Sequence, residues 1–261
     1  MTVWKDILSK RNSIQRRHLI MQLLQQQGEV SVESLVQHFN TSEVTIRKDL
    51  TALESNGLLL RRYGGAVLMP SEILSDEQDE AFSQSKLAIA QAAAARIRDH
   101  NRIIIDSGST TAALIRQLTP KQGLVVMTNS LTVANQLTEL ENEPTLLMTG
   151  GTWDIRSESF QGQIAEQVLR SYDFDQLFIG ADGIDLARGT TTFNELVGLS
   201  RVMAEAAREV VVMVESQKIG RKMPNLELSW DQIDVLITDN QIADEMATQI
   251  EAHHVDVVSA S

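Results

Sequence analysis

Ser31-Val-Glu-Ser-Leu-Val-Gln-His-Phe-Asn-Thr-Ser-Glu-Val-Thr-Ile-Arg-Lys-Asp-Leu50, continued by Thr51-Ala-Leu-Glu-Ser55 and closed by Asn56-Gly57, spells two helices and the turn between them. After Ser31, the apolar residues Val32, Leu35, Val36 and Phe39 fall at i, i+3, i+4 and i+7, one face of a short helix that ends near Asn40. Ser42 then caps a helix from Glu43 to Ser55, in which Ile46, Leu50 and Leu53 share a face. Working outward, Ser13 to Gln27 predicts an earlier helix, capped by Asn12 or Ser13, with Ile20, Leu23 and Leu24 on its apolar side and Gly28 as its stop. On the other side, Leu58 to Arg62 and Ala66 to Met69 predict two strands that turn through Tyr63-Gly64-Gly65. Three helices followed by a two-stranded wing is the winged helix-turn-helix plan, expected over residues 1–69.

At about 100° per residue, Val44, Lys48 and Thr51 stand opposite the buried face of the third helix, with Thr45 and Arg47 on its flanks. With the capping Ser42 and the wing residues Arg61 and Arg62, these are the candidate DNA contacts: a helix N-terminus and basic side chains suit a phosphate backbone and the edges of bases. Charge agrees. The whole chain carries −12, yet residues 1–70 hold nine Lys/Arg against six Asp/Glu, and the acidic excess lies in the remainder. A basic module on an acidic body can bind nucleic acid locally. The plain alternative is a trihelical packing unit without a nucleic-acid partner, which has the same periodicity.

The other limits are compositional. With 43% hydrophobic and 22% charged residues, 261 residues can bury a sizeable core. There is no cysteine, which excludes disulfides, thiolate metal sites and a cysteine nucleophile. Met1-Thr-Val-Trp-Lys-Asp6 breaks up with charge before a signal-peptide core can form, and no apolar run nears membrane-spanning length, so cytoplasm is the expected location. No metal site is expected, since His253-His254 lack ligand spacing, and no cofactor, since no G-x-G-x-x-G follows the first strand of the body.

Residues 70–84 are acidic and aperiodic and are expected to be a linker; the second domain is expected over 85–261. There, short apolar runs (Arg102 to Asp106, Leu124 to Met127, Thr145 to Met148, Gln176 to Ile179, Glu209 to Val214, Val235 to Thr238) alternate with helical stretches, which predicts an α/β domain with a parallel sheet. In such sheets ligands bind beyond the carboxyl ends of the strands. Those ends are small and polar here: Asp106-Ser107-Gly108-Ser109-Thr110-Thr111, then Thr128-Asn129, Gly150-Gly151, Asp182-Gly183 and Lys218. Ser107 to Thr111 offers N–H groups and hydroxyls to a phosphate, Lys218 a countercharge, and Asp106, Asn129, Asp182 and Glu195 acceptors for sugar hydroxyls. The bland reading of Asp182 and Glu195 is that they satisfy turn N–H groups.

Both halves resemble one family. Ser42-Glu-Val-Thr-Ile-Arg-Lys-Asp-Leu50, Gly57-Leu58 and Arg61-Arg62-Tyr63-Gly64-Gly65-Ala66 are similar to the N-terminal signature of DeoR-type regulators. Asp106-Ser-Gly-Ser-Thr110, Thr128-Asn-Ser130, Gly180-Ala-Asp-Gly-Ile184 and Lys218-Ile-Gly220 resemble the landmarks of that family's effector domain. The segments around Phe174 to Asp185, Thr190 to Glu195 and Gly220 to Asn225 most resemble regulators of sugar-alcohol and aminosugar operons. The resemblance implies a repressor of a sugar or sugar-alcohol uptake or catabolic operon, a homo-oligomer (dimer or tetramer) that binds double-stranded operator DNA and answers to a phosphorylated sugar. It also implies a body similar to sugar-phosphate isomerases and deaminases. One departure is Glu215-Ser-Gln-Lys218, where the family commonly has Asp-Ser-Ser-Lys.

The rival expectation is a working sugar-phosphate isomerase or deaminase with an accessory N-terminal domain. Asp182-Gly183 followed by Glu195 resembles the deaminase segment in which a histidine follows Asp-Gly. Ile184 stands in its place here and cannot exchange a proton. No catalytic residue is expected.

Overall fold

The computed structural model describes residues 13, 16–24, 28–55, 59–62, 64–68, 84–155, 157–194 and 197–261. The chain divides into two units, Met1–Asp79 and Glu80–Ser261. Apart from Gln84, the expected linker lies outside the described residues.

In the first unit, helix α1 covers 16–24, and the Gly28 N–H closes onto the Leu24 carbonyl at 2.8 Å. Strand β1 (Glu29–Ser31) leads into α2 (Val32–Phe39), whose N-cap Ser31 accepts from the Ser34 N–H and whose C-cap Asn40 is left-handed at φ 44. Helix α3 (Glu43–Ser55) follows, then β2 (Leu59–Arg62) and β3 (Gly65–Leu68), paired antiparallel with Arg62 opposite Gly65. The sequence reading missed β1, a three-residue strand that pairs with β3 and makes the wing three-stranded. A Cβ on Gly65 would collide with the Val30 carbonyl oxygen, so glycine lets β3 lie against β1. Ile20, Leu24, Leu35, Ile46, Leu50, Leu53 and Leu59 form the core, the apolar stripes of all three helices meeting the wing.

The second unit opens with α4 (Gln84–Ala95) and β4 (Arg102–Ile105), then α5 (Ser109–Ala112), β5 (Val125–Thr128), α6 (Leu131–Thr138) and β6 (Thr145–Met148). A hairpin of β7 (Thr152–Asp154) and β8 (Ser159–Gln161) precedes α7 (Gln163–Leu169) and β9 (Phe174–Ile179). Next come β10 (Gly183–Asp185), β11 (Gly189–Thr192), α8 (Gly198–Glu205), β12 (Ala207–Met213), β13 (Asn225–Ser229), β14 (Val235–Asp239), α9 (Asp244–Glu251) and β15 (Asp256–Ala260).

Seven strands form one parallel sheet in the order β15-β14-β12-β9-β4-β5-β6. The apolar runs bury both faces: Ile103, Ile105, Val211 and Met213 pack with α4 and α5, while Ile104, Val210 and Val212 pack with α7 and α8. The chain steps from β4 outward through β5 and β6, then returns to lay β9 on the other side of β4 and continues outward from there. The order reverses between β4 and β9, and such a switch point leaves a crevice at the carboxyl ends of the two strands. Next to that end, β10, β11 and β13 form a small antiparallel sheet that the alternation of the sequence did not announce.

Candidate functional site

On α3 the sequence and the structure agree about the outward face. Ser42, Val44, Arg47, Lys48 and Thr51 are exposed and Thr45 is half-buried, while Ile46 and Leu50 are fully buried. Ser42 Oγ accepts from the Thr45 N–H at 3.3 Å and lies 2.8 Å from its hydroxyl, closing the helix start. Val44 is the unusual member, an apolar side chain 64% exposed in the first turn. Arg61 donates to the Thr51 hydroxyl at 2.7 Å, tying the wing to the outer face of α3. Arg62 lies in β2, and its side chain is outside the described residues.

Part of the basic charge of this unit is paired within it. Arg16 and Arg17 put their Nε atoms 2.5 and 2.9 Å from the carboxylate of Asp49, which is 2% exposed. Arg47 is 2.6 Å from Glu43 one turn earlier, and Arg61 is 3.8 Å from Glu54. Four of the basic residues are therefore engaged with acids. Asp49, which sequence reasoning passed over, lies on α3 and ties it to α1.

At the crevice of the second unit, Asp106 follows β4 and its backbone N–H reaches across to the Phe178 carbonyl of β9 at 3.0 Å. Asn129, 1% exposed, donates from Nδ2 to Asp106 Oδ1 at 2.8 Å and accepts from the Ser107 N–H at 3.1 Å. Asn129 thus holds Asp106 and Ser107 in place at the start of the cradle of residues 107–111. Ser107 is half-buried, and Gly108 and Ser109 are exposed; Gly108 turns at φ 135, a left-handed conformation that a side chain would strain. Thr110 and Thr111 are buried, and the Thr111 hydroxyl donates inward to the carbonyls of Asp106 and Gly108 at 2.8 and 2.9 Å. Thr128 is fully buried, with its Oγ1 accepting from the Ser130 N–H. The hydroxyls of Thr111 and Thr128 therefore brace the turns. The helix after the cradle is also shorter than its sequence suggests, a single turn followed by a 3-10 segment from Ile115 to Leu118.

Gly150 and Gly151 both have positive φ, and a Cβ on Gly151 would stand 2.6 Å from the Gln161 carbonyl oxygen, so the loop after β6 passes tightly against β8. Across the crevice, Asp182 accepts from the Thr192 hydroxyl at 2.6 Å. Gly183 pairs with Thr191 in the small sheet, and Ile184 is fully buried in the core. Lys218 donates from Nζ to the Ala181 carbonyl at 3.2 Å and so lies beside the turn that carries Asp182. Its own turn is held by Asp239, which accepts from the Ser216 N–H and hydroxyl at 2.8 and 2.7 Å. Burial opposes the charge on Asp239, yet these bonds outweigh it and hold the carboxyl below its ordinary range. Glu195 lies outside the described residues.

A third carboxyl joins Asp106 and Asp182. Glu227 of β13 accepts from the Ser200 hydroxyl of α8 at 2.7 Å. Burial, then the charges of Asp106 and Asp182, push it up to about 8 against the pull of the Ser200 and Thr190 hydroxyls. Burial likewise raises Asp106 to about 6, with Asn129 and Ser107 opposing and Asp182 reinforcing the shift. Among the described residues no group of His, Asp and Glu is disposed to hold a metal ion.

Residues 16–72 match the DeoR-like helix-turn-helix domain and residues 81–240 the DeoR C terminal sensor domain. The chain belongs to the DeoR family. An Escherichia coli O157:H7 protein that carries the name of an aga operon transcriptional repressor is 39% identical over 94% of this chain and 93% of its own length. The transcriptional regulator GlpR of Haloferax volcanii is 34% identical over 94% and 96%, and the glycerol-3-phosphate regulon repressor of Escherichia coli K12 31% over 93% and 97%. Among solved structures, ribose 5-phosphate isomerase A of Methanocaldococcus jannaschii aligns over 51% of this chain and 53% of its own, with 21% identity and a TM-score of 0.38. No helix among the described residues of this DeoR-family chain is long and apolar enough to cross a membrane.

Proposed function

We propose that this DeoR-family chain is a cytoplasmic transcription regulator that represses a sugar or sugar-alcohol operon and whose DNA affinity is set by a phosphorylated sugar bound in the second unit. The outer face of α3, from Ser42 through Thr51, enters the major groove, and Arg61 and Arg62 of the wing meet adjacent phosphates. Residues 70–84 link the two domains, 1–69 and 85–261. A dimer or higher oligomer presents two such helices to successive grooves, because one small headpiece makes too few contacts for specific affinity.

The effector binds at the switch point. Exposed Gly108 and Ser109, with Ser107, receive the phosphate, Lys218 offsets its charge, and Asp106, Asp182 and Glu195 accept from sugar hydroxyls. The observation that carries this reading is the reversal of strand order at β4 and β9 with Asp106 and Asp182 on its two sides, in a domain whose family is a sensor domain. The enzyme reading has the convergent carboxyls in its favour, but Ile184 supplies no proton and is buried in the core. The test is a thermal-shift panel of glucitol 6-phosphate, galactosamine 6-phosphate and glycerol 3-phosphate against the free sugars, followed by turnover assays. Stabilisation by a phosphorylated member without turnover supports the regulator; steady conversion supports the enzyme.

A further inference from the structure

The hairpin of β7 and β8 is turned inside out. Thr152 pairs with Gln161, Trp153 with Phe160 and Asp154 with Ser159, so alternate residues fall on opposite faces of the ribbon. The face that carries Ser159 and Gln161 is buried and polar: Gln161 Nε2 donates to Ser159 Oγ at 2.7 Å, and the Ser157 hydroxyl lies 2.8 Å from Ser159 Oγ and 2.6 Å from Asp154 Oδ2. The other face is apolar. Trp153 is 41% exposed with its ring edge-on to Phe160 at 5.4 Å, and Ile155, next in the same alternation, is 80% exposed. Ile164, in the first turn of α7 and three residues past β8, is 63% exposed. A ribbon on a folded body ordinarily turns its apolar side inward, because apolar area left in water costs free energy in proportion to its extent.

We propose that the outward face of this hairpin is where a second copy of the chain docks, apolar patch on apolar patch about a two-fold axis. This names the surface behind the oligomer reading above and rests on that reading. Two observations select a second copy as the occupant. The first is charge. Of the chain's 23 Lys/Arg and 35 Asp/Glu, residues 71–261 hold 14 and 29, so two copies repel over most of their surfaces. Trp153, Ile155, Phe160 and Ile164 bring no charge, and Asp154 is turned to the inner face, where it accepts from Ser157. The second is area. These four side chains leave on the order of 400 Å² of apolar surface in water, against about 800 Å² per partner in a standard interface, of which somewhat over half is apolar. A two-fold contact covers the patch of both copies at once, because the same surface serves on each side.

The chain has no cysteine, so Ile155→Cys carries a single thiol, and at a position this exposed it reacts freely unless a neighbour covers it. The test follows maleimide labelling of this full-length variant across a dilution series, beside sedimentation equilibrium of the wild type. The expected result is a wild-type oligomer and a thiol whose labelling is slowed where the oligomer forms and recovers as dilution separates the copies. Ile155→Asp and Trp153→Ser should each weaken association by about tenfold or more, as loss of an interface hot spot does, and leave amide exchange over the large sheet unchanged. An oligomeric wild type whose introduced thiol reacts at the dilute rate overturns the proposal and leaves the oligomer reading standing. So do Ile155→Asp and Trp153→Ser chains that associate as the wild type does. A protected thiol in a chain that sediments as a monomer means that the same chain covers the hairpin, and overturns it too. A wild type that stays monomeric at every concentration, alone and on operator DNA, defeats the oligomer reading and this proposal with it.

Discussion

Asn129 spans Asp106 and the residue after it: its Nδ2 donates to Asp106 Oδ1 at 2.8 Å while its Oδ1 takes the Ser107 N–H at 3.1 Å. One buried amide thus fixes Asp106 and Ser107 of the proposed effector site relative to each other, and it links the end of β5 to the end of β4.

Asn129→Ala should leave a carboxyl and an N–H without their partner, at a cost of about 1 to 3 kcal/mol in stability. Effector binding should fall by more than tenfold while operator binding persists. Differential scanning calorimetry and a gel shift on the same preparation measure the two effects. An unchanged effector affinity would remove Asn129 from the site.

Asp49→Ala should weaken the first unit by about 1 to 3 kcal/mol, because Arg16 and Arg17 lose the acid that draws them in. Amide exchange over residues 16–55 should quicken while exchange over the large sheet stays as it was. Uniform loosening of both units would show that Asp49 does more than tie α1 to α3.

Much of this architecture was legible in the sequence, and the failures share a cause. The helix-turn-helix could be read because its caps and apolar stripes are local, as Ser31, Asn40 and Ser42 show. The strand ends were legible for the same reason: an apolar run that stops after Ile105 or Ile179 announces itself. Pairing across the chain does not. Arg16 and Arg17 enter a charge count as two basic residues, and nothing local shows that Asp49, on another helix, pairs with both. From sequence, Thr111 reads as offering a hydroxyl to a phosphate and Thr128 as part of a polar strand end, but whether a threonine turns inward depends on which carbonyl or N–H its turn exposes. Glu227 was invisible because β13 is short, polar in part and paired only with β11.

On α3, Val44 and Lys48 should behave differently. Val44→Ser removes an exposed apolar side chain suited to a thymine methyl, and should cost about 1 to 3 kcal/mol at one operator position only. Lys48→Ala should weaken all sequences alike and lower the salt slope of binding by about one. Affinity selection on randomised operators, run at several salt concentrations, separates the two. The reverse pattern would mean that α3 lies differently in the groove.

The Arg96 and Glu209 pair makes an acid-side prediction. Burial works against the charge on Glu209, but bonds from Arg96 at 2.7 Å and Gln176 at 2.6 Å outweigh it and lower its titration. A lowered carboxyl contributes stability that is present above its unfolded-state value and lost as pH falls through the folded one. Glu209→Gln should therefore be less stable than wild type near neutrality and lose less stability on acidification. Thermal unfolding as a function of pH shows whether the two curves converge at low pH; parallel curves would contradict the pairing.

The account turns on one division of labour, and operator affinity with and without effector tests it most directly. Fluorescence anisotropy on the full chain should show glucitol 6-phosphate or another panel phosphate changing wild-type operator affinity by roughly five- to a hundredfold, a coupling of about 1 to 3 kcal/mol. Lys48→Ala should bind the operator weakly yet bind the effector normally. Lys218→Ala should bind the operator normally yet ignore the effector. Operator affinity indifferent to every sugar phosphate, or the joint loss of both activities in each variant, would contradict it.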